Sequence, residues 1–301
     1  MERLHLPDNI KIHYAGCENQ KQYLAAYLQG IRYGLYTCYP FVERKVFANV
    51  KSPLLSFKEQ SNPAVDIPRR LCTDLNHVIQ DSRLFTLMFG SQKTVQKNTK
   101  LIGKWYDALV EFTLEHGAPV TCVECDCQKL FGVDLAWEFR ERMKKDLPNR
   151  QINVFHMEDG KDGLDRLIEF SDYIAISVPE LRFANKKGYV ISLARYIKKR
   201  KPSIDIHLLG CTELSLLKEC RFCTSADSTT WISPNRYGYV QNKHVSRIDI
   251  DKVKQMVGED NFGQLNAHLN DRYTAALFLN VEILKKQYQE KAGNQDYYSK
   301  L

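Results

Sequence analysis

Short apolar runs alternate with stretches of helical period over most of the chain. Runs at Ile12–Ala15, His77–Gln80, Val120–Cys125, Ile152–His156, Tyr173–Val178, Ile204–Leu209 and Phe222–Ala226 read as strands, and Tyr237–Gln241 supplies an eighth. Between them, Asn19–Leu28, Thr99–His116, Trp137–Asp146, Gly163–Phe170, Tyr189–Lys199 and Glu213–Glu219 carry the helical period. Strands regularly separated by helices predict βα units and a parallel sheet. After Asp249 the pattern turns helical, first at Asp251–Val257. A long run follows from Phe262 to about Tyr288, with Leu265, Leu269, Tyr273, Ala276, Leu277, Leu279 and Leu284 at the 3.6 period.

The economical architecture is an α/β fold, a (β/α)8 TIM-type barrel over residues 1–290 with a C-terminal closing helix and a polar tail, 291–301. Lys51–Arg70 holds Pro53, Pro63 and Pro68 with little periodicity and reads as an insertion or lid after the first βα unit.

Composition narrows the classes. The 301 residues are 44% hydrophobic and 26% charged, enough for a large core. No stretch reaches the roughly 18 apolar residues of a membrane span, and the start MERLHLPDNIKIHYAG has no basic region followed by an apolar one. A cytoplasmic protein is expected, in the host cytoplasm if the gene is a phage's. The formal charge of +7 gathers in clusters such as Lys198-Lys199-Arg200-Lys201. Such an excess favours a polyanion through counterion release, although many basic surfaces bind nothing specific. No Walker loop or dinucleotide fingerprint is visible, so no nucleotide cofactor is expected.

Two aspartates each close a strand-like run: Asp81 in VIQDSRLFTLMFG and Asp227 in CTSADSTTW. The carboxyl ends of barrel strands are where such folds keep their chemistry. Asp81 could instead begin a helix as its N-cap, and Asp227 could serve as a turn residue.

These segments resemble the tRNA-guanine transglycosylase superfamily, including the shorter DNA-acting relatives that insert 7-deazaguanines into phage or bacterial DNA. VIQDSRLFTLMFG is similar to the family's Asp-Ser-Gly-Gly-Phe/Tyr-Gln strand, which puts Asp81 on the acid/base aspartate. VTCVECDC is similar to Phe-Asp-Glu-Cys, with Asp126 on the base-recognising aspartate. INVFHMEDG and LIEFSDYIAISVPE resemble the Val-Gln-Gly-Gly and Tyr-Ala-Ile-Gly-Gly segments, with His156 where the family has glutamine. IDIHLLGCTELSLLKECRFCTSADSTTW resembles Leu-Met-Gly-Val-Gly-Thr-Pro, a helix and Phe-Asp-Cys, which puts Asp227 on the nucleophile. The matches keep their order between Val78 and Trp231.

The resemblance implies a pentosyltransferase that exchanges guanine in DNA for a 7-deazaguanine related to queuine or archaeosine, a modification that shields a genome from restriction. The tRNA-acting activity is the alternative, and a non-catalytic nucleic-acid-binding barrel is the alternative of another class. The chemistry asks for these residue types. A carboxylate opposite the leaving base can attack C1′ and hold a covalent intermediate, and a second carboxyl can protonate the departing guanine. Asp126 offers acceptors to the N1–H and 2-amino donors of guanine, or could pair with a basic side chain. His156 could donate to the guanine carbonyl, and the small Ser177 would allow close approach of a purine. Arg83 stands where the family has glycine; its guanidinium could crowd the base pocket or meet a phosphate. Downstream, Trp231, Arg236 and Lys243, interleaved with Tyr237, Tyr239 and Arg247, could grip a strand of nucleic acid or pack as core. A helicase-like or second protein could open the duplex.

Nine cysteines are an odd number, favouring reduced thiols or a metal over a disulfide framework. Cys122, Cys125 and Cys127 with Cys220 and Cys223 could furnish a structural zinc. Strand alternation would, however, turn Cys122 away from Cys125 and Cys127. The family's zinc element beyond the nucleophile is missing, since no cysteine follows Cys223. No metal is therefore assigned.

Overall fold

Eight short runs of buried residues pair edge to edge, all parallel, and the eighth returns to the first to close a barrel. The computed structural model describes residues 10–46, 67–82, 84, 99–116, 118–211, 213–266 and 271–292. The strands are β1 Lys11–Ala15, β2 Tyr33–Thr37, β3 His77–Asp81, β4 Thr121–Val123, β5 Gln151–Phe155, β6 Tyr173–Ser177, β7 Asp205–Leu209 and β8 Ser225–Ser228. The chain is thus the expected (β/α)8 barrel, with helices between the strands and a C-terminal helix, Asp271–Ala292.

Six of the expected strands keep their place within a few residues. β8 is shifted to Ser225–Ser228, so that Asp227 lies inside the strand. The expected eighth strand at Tyr237–Gln241 is not in the barrel: Tyr239–Val240 pairs antiparallel with Lys243–His244 in a separate hairpin. The missing barrel strand is β2, whose sequence YGLYT carries no aliphatic alternation to announce it. Its glycine serves close packing, because a Cβ on Gly34 would come within 2.6 Å of Leu75 Cδ1. With β2 in place, the proline-bearing segment falls between β2 and β3, not after the first βα unit. Residues 51–66 of it lie outside the described residues, and Ile67–Asp74 is helix.

Alternate residues face opposite sides of a strand, and contacts between non-neighbouring strands identify the inner face. His13 on β1 bonds His77 on β3 at 2.8 Å, and Tyr173 on β6 reaches Ser225 on β8 at 2.5 Å. Above this polar layer, Ala15, Leu35, Ile79, Val123, Val154 and Ala175 form an apolar plug. Two outer core layers lie between strands and helices, one mainly beside β2–β4 and the other beside β5–β8 and β1.

The C-terminal helix fills the last gap of the helical ring, packing on helices Leu214–Glu219 and Gln20–Tyr27. Its buried face includes Ala276, Leu277, Phe278, Val281 and Leu284, while Tyr273 is part-exposed. Of the expected run, Glu259–Asn266 and Asp271–Ala292 are helical, and Leu269 lies outside the described residues. Asn280 fastens this helix to the exit of β8, its Nδ2 donating to the carbonyls of Thr230 at 3.1 Å and Trp231 at 2.9 Å. Among the described residues no helix is long and apolar enough to cross a membrane.

Candidate active site

Continuing the inner face one step beyond the apolar plug reaches Thr37, Asp81, His156, Ser177 and Asp227 at the C-terminal rim. Sequence-distant polar side chains are thereby gathered at one mouth.

β8 reads Ser-Ala-Asp-Ser and is buried throughout, its small residues leaving room for the neighbours that hold Asp227. The carboxylate Oδ1 accepts the backbone N–H of Gly210 at 2.6 Å and lies 3.3 Å from His207 Nε2. Gly210 has φ of +64°, a left-handed conformation that L side chains rarely adopt, and a Cβ there would meet Pro179 at 2.9 Å. His207 Nδ1 lies 2.5 Å from Ser225 Oγ, which bonds Tyr173. Asp227 is therefore the upper end of a hydrogen-bonded column through the barrel. Its Oδ2 has no hydrogen-bond partner among the described residues.

Across the mouth, β4 ends at Val123 and the chain turns tightly, Asp126 N–H bonding Glu124 O at 2.8 Å. His156 sits between two carboxylates, its Nε2 2.8 Å from Asp126 Oδ1 and its Nδ1 2.8 Å from Glu180 Oε2. Burial by itself would lower the His156 pKa, but the charge and hydrogen bond of Asp126, with those of Glu180, raise it to about 10. The imidazole is accordingly a cation with both N–H groups donated. Glu180 is held down at about 2: burial opposes this, and hydrogen bonds from His156, Lys129 and Met157 N–H outweigh it. This corrects the expected role of His156, because neither ring nitrogen is left to donate to a guanine carbonyl. His156 instead orients Asp126, whose Oδ2 has no hydrogen-bond partner among the described residues.

A buried ion pair supports this arrangement. Arg140 grips Glu124 with Nε–Oε2 at 2.8 Å and NH2–Oε1 at 2.9 Å, and also donates to Val154 O. Asn153 donates to Glu124, and Gln128 connects Arg140 to Asp159, which accepts the His156 backbone N–H.

Asp81 is the last residue of β3, paired with Thr37 and part-buried. Its carbonyl accepts the Cys38 backbone N–H at 3.1 Å. Ser177 ends β6 and precedes the helix Val178–Phe183 that carries Glu180. Arg83 lies outside the described residues.

Trp231 is corrected outright. It is 1% exposed, its indole N–H donates to Ala15 O at 2.8 Å, and its ring packs on Tyr14, so it is core and cannot stack on a nucleic acid. Arg236 and Lys243 are exposed.

The strand argument about the cysteines also fails. With β4 limited to Thr121–Val123, Cys122, Cys125 and Cys127 all enter one core layer, while Cys220 and Cys223 lie in the other. Burial pushes the thiols of Cys122 and Cys127 up to about 12. The grouping of metal-ligating side chains found among the described residues is His156, Glu158 and Glu180. Lys129 bonds both glutamates and His156 is charged, so two cations already occupy that cluster.

Sequence reasoning missed Glu180, His207 and Gly210. The polar residue inside the β7 run IDIHLL was the available sign for His207, since an apolar interior would not need it.

No family model and no curated protein matches the chain. Among solved structures it is similar to the YdjI aldolase from Escherichia coli K12, at a TM-score of 0.48 and 9% identity over 97% of this chain and 94% of that one. That likeness says nothing about chemistry here.

Proposed function

We propose that the protein exchanges guanine in DNA for a 7-deazaguanine through a covalent glycosyl intermediate on Asp227. The observation that carries this reading is that Asp81 closes β3, Asp126 follows β4 and Asp227 lies near the end of β8, all toward the C-terminal rim of a closed barrel; the segments they stand in are those that resemble the family motifs. The net charge of +7 suits a polyanionic substrate.

In this reading the target nucleotide is flipped from the stack into the mouth. Asp126, fixed by the His156 cation, accepts hydrogen bonds from the Watson–Crick edge of guanine, which separates guanine from adenine. An oxygen of Asp227 attacks C1′ as the bond to N9 breaks, through an oxocarbenium-like transition state. Asp81 gives its proton to the departing guanine. The incoming 7-deazaguanine then loses its N9 proton to Asp81 and attacks C1′, releasing Asp227 as carboxylate. No metal or nucleotide cofactor enters these steps. A product of this kind would shield a genome from restriction nucleases.

The test is incorporation of a radiolabelled 7-deazaguanine into DNA, with tRNA in parallel and a denaturing gel for the covalent adduct. Label in DNA, and an adduct lost with Asp227→Asn, is the expected result. Label in tRNA alone would reassign the polymer. Nucleic-acid binding without label or adduct would leave a non-catalytic binding barrel and end the transglycosylase reading.

A further inference from the structure

Beside the rim, a cavity of about 520 Å³ opens between the helix Ser233–Tyr237, the hairpin that follows it and the C-terminal helix. Thr230 lines it, three residues after Asp227, so their Cα atoms are within about 11 Å by chain length alone. The lining contains no charged side chain: it combines the rings of Tyr237 and Tyr239 with aliphatic groups and the amides of Gln241, Asn280 and Gln287. Tyr237 is 72% and Tyr239 47% exposed, so both rings are open to a ligand. The Tyr239 ring is held edge-on by His244 at 5.1 Å.

A second observation points the same way. The two carbonyls bonded to Asn280 Nδ2 fix the orientation of its amide, so Oδ1 is an acceptor. That residue is 3% exposed, lines the cavity, and its Oδ1 has no hydrogen-bond partner among the described residues. On the segment that carries the two rings the charge has one sign. Residues 229–248 contain no Asp or Glu, and Arg236, Lys243 and Arg247 are exposed with no ion-pair partner among the described residues.

We infer that this cavity is a second base site, holding an unpaired nucleobase of single-stranded DNA next to the target nucleotide, with its phosphates on Arg236, Lys243 and Arg247. A neutral, aromatic, amide-bearing pocket suits a nucleobase. The basic rim suits the backbone that carries it. The choice of DNA rests on the function proposed above; the pocket chemistry rests on the residues.

The experiment measures binding of a fluorescein-labelled single-stranded oligodeoxynucleotide to the full chain by anisotropy, in an Asp227→Asn background so that no turnover intervenes. Tyr237→Ala and Tyr239→Ala should each weaken binding about fivefold or more, with melting temperature unchanged. An abasic position moved along the oligonucleotide should cancel that loss at one place only, adjacent to the guanine. Arg236→Gln, Lys243→Gln and Arg247→Gln should each lower the salt slope by about 0.7. Unchanged affinity in the tyrosine variants, a loss indifferent to the abasic position, or a change in oligomeric state instead of DNA affinity would overturn the site. Tighter binding of the matching RNA would overturn the choice of DNA. The two proposals fail separately. Tyrosine-dependent binding without base exchange in the unmutated protein sinks the function but keeps the site. Exchange without any tyrosine effect does the reverse.

Discussion

His207 on β7 places Nε2 3.3 Å from Oδ1 of Asp227 on β8, and its other nitrogen lies 2.5 Å from Ser225 Oγ. The carboxylate is thus steadied from inside the barrel by a group that is itself fully buried. Replacing His207 with Leu removes that support without touching substrate. Base exchange should fall in kcat by about 10- to 100-fold, with KM changed much less, because small misplacements of a reacting group are costly. His207→Gln, which keeps an N–H, should recover part of the loss. Single-turnover kinetics on both variants check this.

The His156 bridge predicts a pH dependence with a definite sign. Its pKa is raised from 6.5 to about 10 in the folded protein, so its contribution is complete below pH 6.5 and disappears as pH rises through 10. The Glu180 pKa is lowered from 4.5 to about 2, so that contribution is present above pH 4.5 and disappears as pH falls through 2. His156→Gln should therefore melt below the unmutated protein near pH 6, by a few kcal/mol (~2–4) in stability. Thermal melts across the range should show the gap narrowing between pH 6.5 and 10. A gap independent of pH would contradict the bridge.

Glu124 and Arg140 are an almost fully buried pair, with side-chain exposures of 3% and 1%. Glu124→Ala strands the guanidinium and should cost about 3–5 kcal/mol, read by urea unfolding. Glu124→Leu combined with Arg140→Met should be less damaging than Glu124→Ala, because no buried charge is left behind.

Asn280→Ala removes the donor held by the buried Trp231 carbonyl and one of the donors held by the Thr230 carbonyl, which keeps the Ser233 N–H. An unsatisfied buried group costs about 1–3 kcal/mol, so a loss of that size is expected. Hydrogen exchange should rise in the C-terminal helix before it rises in β5 or β6, since the bonds lost fasten that helix to the exit of β8.

The barrel was legible where strands are aliphatic, as in QINVF of β5 and YIAIS of β6. It was not legible in YGLYT of β2 or SADS of β8. Those strands line or flank a polar interior, where histidine, serine and tyrosine satisfy one another, and period-2 hydrophobicity has nothing to report. The hairpin drew the opposite error, since Tyr239 and Val240 alternate like barrel residues but face solvent and core at its edge.

Local chemistry determined the class of fold and the place of Asp81 at the end of its strand, because each depends on neighbours a few positions away. Which side chain holds which was decided by closure. His156 finds Asp126 and Glu180 at separations of 30 and 24 residues, and Asp227 finds His207 at 20. Trp231 reaches Ala15 across 216 residues because β8 pairs with β1. Two carboxylates then turned one expected base-contacting histidine into a held cation, and burial turned one expected nucleic-acid contact into core, where a buried donor must find its acceptor wherever the fold brings one.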